Sequence, residues 1–142
     1  MTNDLWMLYQ TTRFILPNQS AVSYENERAR FAIVSARNTQ GKQQTEQQNQ
    51  QYEERMECWL QSEDIDFQRI YGCSPTLDYI EPSYQINIPD KTAAVELSRL
   101  FRQNALFWIE HDQLWLVPCR KLQFAEVKLG LFSERLMEFA VL

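Results

Sequence analysis

The sequence predicts an α+β protein, on three observations. Residues 45–61 and 90–104 each open on a helix-capping residue and continue as an apolar stripe of helical period. Four short runs, 31–36 (FAIVSA), 67–73 (FQRIYGC), 83–88 (SYQINI) and 105–109 (ALFWI), are rich in β-branched and aromatic residues or alternate with period two. Their order from residue 31 is β-α-β-β-α-β. That order predicts a ferredoxin-like, or split βαβ, core: one mixed sheet with its helices on one face. Extra strands extend this core, and a C-terminal helical segment follows. A length of 142 residues suits a single domain over 1–142, able to bury about two-thirds of its unfolded surface.

Each element has a local cause. Asp4 is a candidate N-cap for a short helix with Leu5, Leu8 and Tyr9 on one side. Residues 13–16 read as a strand stopped by Pro17-Asn18, and the polar stretch 19–30 as a loop. The run at 31–36 lacks clean alternation, which predicts a central strand covered on both faces. Gly41 marks a turn, and 38–46 is expected to be the most mobile connection. Thr45 and Gln48 fit a capping box, T-x-x-Q, and Tyr52, Met56, Trp59 and Leu60 form the stripe, with Asn49 extending it toward the helix start. In the strand at 83–88, Tyr84, Ile86 and Ile88 share a face. Asp90 caps the second helix, with Ala94, Leu97, Leu100, Phe101 and Asn104 inward. Strands at 105–109 and 114–117 flank a hairpin at His111-Asp112-Gln113, which has no glycine. A short helix near the C-terminus would be capped by Ser133 and turn Leu136, Phe139 and Ala140 inward.

Composition removes several function classes. Hydrophobic residues at 44% and aromatics at 13% exclude a disordered chain. The net charge of −5 argues against nucleic acid, because phosphate binding needs clustered Lys and Arg. A single-strand-binding sheet is compatible with the fold type alone. Cys58, Cys73 and Cys119 show no metal-ligand spacing and read as reduced thiols of a cytoplasmic protein. No window approaches the roughly 18 apolar residues of a membrane span. His111 is the only histidine, which excludes Ser-His-Asp chemistry and most zinc sites. No cofactor or metal is implied.

Three segments carry a family resemblance. They are the strand and turn at 31–38 (FAIVSARN), the helix residue Asn49 with the acidic Glu81, and 101–108 (FRQNALFW); Tyr9, Thr12 and Phe14 add an N-terminal Tyr-x-x-Thr-x-aromatic pattern. In this order and spacing the chain resembles the bacterial family named domain of unknown function 3293, over about residues 5–119, leaving 120–142 as a C-terminal extension. It departs from the family pattern at Arg37, where an aromatic is preferred, and at Thr39, where Pro is preferred. The resemblance implies no established activity.

The candidate ligand-binding residues are Arg37, Asn38, Asn49, Glu81, Gln103 and Asn104. The end of a core strand facing a helix N-terminus suits a small polar or anionic ligand, and Arg37 could supply a bidentate clamp there. The competing reading is that Asn38 and Asn49 satisfy loop backbone groups. Asn104 reads first as a helix C-cap, because Asn tolerates the left-handed conformation. Glu81 is a general base if buried; otherwise it accepts loop N–H groups or pairs with Arg37 or Arg69. Glu53/Glu54 and Asp64/Asp66 read as solvated faces. Trp108 and Trp115, flanking the hairpin, make either an aromatic surface for a partner or a second copy, or a patch covered by the C-terminal segment. The leading expectation is a non-enzymatic binding or protein-interaction module. The alternative is a ligand-binding domain or enzyme with its site around Arg37, Asn38, Asn49 and Glu81.

Overall fold

The computed structural model describes residues 2–17, 30–120 and 123–137. In chain order these form α1 (Asn3–Gln10), β1 (Arg13–Ile15), β2 (Arg30–Val34), a 3₁₀ turn (Thr39–Gly41), α2 (Glu46–Ser62), β3 (Phe67–Cys73), β4 (Ile80–Ile86), α3 (Lys91–Leu100), β5 (Ala105–Glu110), β6 (Gln113–Pro118), β7 (Val127–Leu131), a second 3₁₀ turn (Phe132–Arg135) and β8 (Leu136–Met137). All eight strands join one sheet in the order β7-β6-β5-β2-β4-β3-β1-β8. The β1–β8 pair is parallel and every other pair antiparallel, so the protein is α+β with a mixed sheet.

Strand β2 divides two cores. Ala32 and Val34 face one side, with Met56 and Leu60 of α2, Ala94 and Leu97 of α3, and Tyr84, Ile86, Leu106 and Trp108 of the sheet. Phe31 and Ile33 face the other, with Phe14, Ile70, Ile109, Leu114 and Phe132. This is the two-sided burial expected of an apolar run without alternation. On the second side the sheet curls: Phe14 of β1 meets Phe107 of β5 edge-to-face at 5.1 Å, although three strands separate them in the sheet order. Phe132 plugs the curl, 5.4 Å from both Phe14 and Phe31. The Arg135 guanidinium donates to the carbonyls of Gln10, Thr12 and Leu129, fastening the segment before β1 to β7.

Helix starts are local and match expectation at two of three. Thr45 and Gln48 form both bonds of a capping box, and Asp90 accepts from Thr92 N. In α1 the cap is Thr2, which accepts from Leu5 N, so Asp4 is a first-turn acid rather than the cap. Trp6 is the buried residue of α1 and stacks on Phe124 at 4.9 Å, while Leu8 is exposed.

Helix ends depart further. Both α2 and α3 close in Schellman motifs with no glycine. Asp64 (φ 56°) follows α2, with Ile65 N bonded to Leu60 O; Arg102 (φ 57°) follows α3, with Gln103 N bonded to Ser98 O. The left-handed residue after α3 is thus Arg102, and Asn104 is not the cap. Leu100 falls outside the α3 stripe and is exposed; Ser98 takes the inward position and bonds to Ala94 O. At one hundred degrees per residue, positions 94, 97, 98 and 101 share a face and 100 does not.

The β5–β6 turn is His111-Asp112, with both residues at positive φ as a two-residue I′ turn requires. Asp112 accepts from Ser133 N and Oγ, and these contacts hold the C-terminal segment in a 3₁₀ turn and β8 instead of the expected helix. Ser133 therefore caps no helix; Phe139 and Ala140 lie outside the described residues, as do residues 19–29 of the expected loop, whose last residue, Arg30, instead opens β2.

Candidate functional site

The end of β2, the start of α2, the start of β4 and the α3–β5 corner meet in one polar corner. Four of the sequence-chosen side chains are occupied in building it. Asn38 (φ 49°) accepts from Gln44 N at 3.0 Å and from Asn49 Nδ2 at 3.2 Å, while its own N–H donates to Asn49 Oδ1 at 2.9 Å. Gln103 donates from Nε2 to Arg37 O at 3.1 Å, and Gln40 N donates to Arg102 O. These bonds pin the 38–45 connection to α2 and to the α3–β5 corner. Asn49 is on the inner stripe of α2, with 4% of its surface exposed.

Arg37 is likewise engaged. Its Nε donates to Glu53 at 3.0 Å, and its two Nη groups donate to the Glu46 carboxylate at 3.0 and 2.6 Å. The Glu46 bonds, reinforced by Glu53, hold the guanidinium above its usual range, and the same pairing lowers Glu46. Glu53, expected on a solvated face, is 6% exposed. It lies four residues after Asn49 and three before Met56, so helical geometry places it in the inner stripe. It bridges Arg37 to Arg69. Arg69 sits 4.6 Å from the Tyr84 ring centre, and the Tyr84 hydroxyl donates to Glu57 at 2.6 Å. A chain of charge-assisted bonds thus runs from Glu46 to Tyr84 along one side of α2. Burial, with the Glu57 bond, raises the Tyr84 hydroxyl above its usual range.

Glu81 stands apart from this chain. Ser35 Oγ donates to its Oε1 at 3.1 Å, and the Ser35 hydroxyl in turn accepts from Arg37 N. The Tyr79 hydroxyl interacts with both Glu81 and Asn38, and Tyr9 is close enough to feel the carboxylate. Burial raises the Glu81 carboxyl above its usual range, and the Ser35 and Tyr79 bonds and the Arg37 charge only partly offset this. Tyr9 is pushed up to about 12 by burial and by Glu81. Among the described residues Glu81 forms no ion pair.

Asn104 faces the opposite side of the same connection. It is 4% exposed, its Oδ1 accepts from Arg120 Nη1 at 3.3 Å, and its Nδ2 has no partner. A Cβ on Gly41 (φ 73°) would lie 2.7 Å from that Nδ2.

Five of the six expected residues, Arg37, Asn38, Asn49, Glu81 and Gln103, therefore share the corner, and Asn104 lies behind it. Sequence reasoning passed over Ser35, Glu53 and Tyr79 as site residues. Glu53 was detectable from its place in the stripe; Ser35 and Tyr79 carry no local signal. Trp108 is 3% exposed within the helix-side core, and Trp115 is half-buried against it, so neither indole forms an open aromatic face. No group of three or more His, Cys, Asp or Glu side chains among the described residues could hold a metal ion, and no helix there is long and apolar enough to cross a membrane.

Fold and corner together define an α+β protein with a mixed eight-stranded sheet and a pre-built polar corner at the β2–α2 junction. A family model described as "Protein of unknown function (DUF3293)" matches residues 34–106, just over half of the 142, and the chain belongs to that family. The match spans the end of β2 through the start of β5, and so covers the corner apart from Tyr9. No curated protein and no solved structure matches the chain.

Proposed function

We propose that this protein is a non-enzymatic binding module, and that its Glu81 corner receives a positively charged, hydrogen-bond-donating group of a ligand or partner protein. One observation carries the reading. Glu81 is a half-buried carboxylate with only neutral hydrogen-bond partners, while the adjacent guanidinium is already held by Glu46 and Glu53. A desolvated carboxylate without a counter-charge is unfavourable in the free protein, and an incoming cation relieves that cost. Tyr9 and Tyr79 add aromatic faces suited to a cation, and Tyr79 is 54% exposed and so reachable. The net charge of −5 favours approach of such a partner. A small anion at Arg37 is less well served, because it would have to displace Glu46.

Two finer readings have support as well. The strand order β5-β2-β4-β3, with α2 and α3 packed on one core, is the order a ferredoxin-like βαββαβ unit would give. Cys58, Cys73 and Cys119 are all free, which supports a reducing, cytoplasmic setting.

The test is an NMR titration of the full chain with n-butylammonium, against n-butanol and butyrate at matched ionic strength. The expected result is saturable shifts at Tyr9, Ser35, Tyr79 and Glu81 with the ammonium alone, lost in Glu81→Gln. Equal response to all three probes, or an undiminished response in Glu81→Gln, overturns the reading.

A further inference from the structure

A second polar feature lies on the other side of the 38–42 connection and owes nothing to Glu81. The Asn104 side chain is 4% exposed, and the Arg120 guanidinium fixes which way its amide faces by donating to Oδ1. A flipped amide would set N–H against N–H at Arg120, so the orientation follows from the partner. Nδ2 is thereby directed away from Arg120, toward the Gly41 side, and it is the buried side-chain polar atom without a partner among the described residues. Buried amide donors are almost always satisfied, and one left bare in a native fold calls for an acceptor from elsewhere.

Cations flank this donor. Arg120 is exposed and, among the described residues, makes no ion pair. Lys42 follows Gly41, and Arg102 is tied to the same turn by the Gln40 N to Arg102 O bond at 2.7 Å; both are exposed and, among the described residues, in no ion pair. Arg99, in the last turn of α3, donates from Nε to Cys119 O, one residue before Arg120. In a chain of net charge −5, cations in no ion pair among the described residues thus lie near a buried donor that has no acceptor there. A Cβ on Gly41 would meet Nδ2 at 2.7 Å, so the Gly41 backbone lies directly against the donor and an acceptor reaches it only beside this turn.

We infer that Asn104 and Arg120 form a binding site for a small oxyanion, a carboxylate or phosphate group. Asn104 Nδ2 donates to one anionic oxygen, and the Arg120, Lys42 and Arg102 charges supply the counter-field. An acceptor oxygen is what the bare N–H requires, and negative charge is what the flanking cations select. The site is separate in residues and opposite in ligand charge from the Glu81 corner, so the two stand or fall independently.

The experiment is an NMR titration of the full chain with inorganic phosphate and, separately, with citrate, with chloride balancing ionic strength. The signals followed are the Asn104 side-chain NH₂ pair, the Gly41 amide and the Arg120 Nε–H. The expected result is a saturable shift of the Asn104 NH₂ pair together with Gly41. Arg120→Gln, which keeps an N–H donor for Asn104 Oδ1 but removes the charge, should weaken the response at least about tenfold, with the unfolding midpoint measured alongside to show that the fold is retained. Asn104→Asp, which retains the Oδ1 acceptor for Arg120 but replaces the donor with an anionic oxygen, should abolish it. A response to phosphate alone assigns a phosphoryl ligand, and a response to citrate alone assigns a carboxylate. If neither anion moves these signals more than chloride does, or if Arg120→Gln binds as wild type does, the inference is overturned.

Discussion

Replacing Glu53 by Gln removes the charge at the centre of the α2 network without changing its shape. The Glu53 side chain is 8% exposed, and it binds Arg37, 15% exposed, and Arg69, 32% exposed. Removing one partner of a buried ion pair costs about 3–5 kcal/mol, because the remaining charge is left uncompensated. Two features place Glu53→Gln at the low end. Glutamine still offers one oxygen to Arg37 Nε, and Arg37 retains Glu46. Arg69 fares worse: its other carboxylate, Glu57, is 3.9 Å away, although its one-third exposure lets it turn to water. The expected loss is about 3 kcal/mol, or about 6–12 °C in Tm for a chain of this size. Urea unfolding followed by tryptophan fluorescence should show a lower midpoint at unchanged slope. Glu46→Gln, at the exposed end of the same network, should leave the midpoint near wild type. A loss below about 1 kcal/mol for Glu53→Gln, or equal losses for both variants, would refute the argument that Glu53 is the buried keystone.

Three further outcomes follow from the structure. Phe132→Ala opens a cavity where the curled sheet is plugged by a fully buried ring, and should cost about 3–5 kcal/mol in denaturant unfolding; a cost under about 1.5 kcal/mol would mean the second core does not depend on it. Arg102→Gly relieves a left-handed residue at the end of α3 and should raise stability by about 1 kcal/mol, whereas an unchanged or lower midpoint would show that Arg102 is not strained. Burial places the folded-state carboxyl of Glu81 above the ordinary value of 4.5, so the native state holds that proton more tightly than the unfolded chain. Wild-type stability therefore falls as pH rises from the unfolded value through the folded one, and stays lower above it. Glu81→Gln should match wild type near about pH 4 and exceed it near about pH 8; an offset of the same size at both values would contradict the assignment.

Much of the corner was legible because its signals are local. The capping box at Thr45 and Gln48 fixes the start of α2, and a helix starting there puts Asn49 one turn in, beside the end of β2. Asn38 and Asn49 could be paired from that alone. Their use could not. Whether Asn49 meets a ligand or the Asn38 backbone depends on where the 38–45 connection runs, and Gln103 and Arg102, some sixty residues away, set that path. Glu53 was misplaced because its charge outweighed its position. Its partners Arg37 and Arg69 lie sixteen residues off on either side, and without them a carboxylate on that stripe would be prohibitive.

The identity of strands β1 to β6, the starts of α2 and α3 and the two-sided burial of β2 were determined by the sequence itself, because each follows from periodicity or from a side chain bonding within three residues. Helix ends and the C-terminus were decided by the tertiary structure. With three glycines in the chain, left-handed positions other than Gly41 and Gly130 fall, among the described residues, to Asn38, Gln40, Asp64, Leu77, Arg102, His111 and Asp112, and of these Gln40, Leu77 and Arg102 have no local preference that announces it. The segment after β7 shows helix-like spacing, yet Asp112 holds Ser133, Arg135 reaches the Gln10, Thr12 and Leu129 carbonyls, and Leu136 pairs beside Phe14. Long-range bonds to groups that curling the sheet brings within reach outweigh the small free energy by which a short helix would form alone.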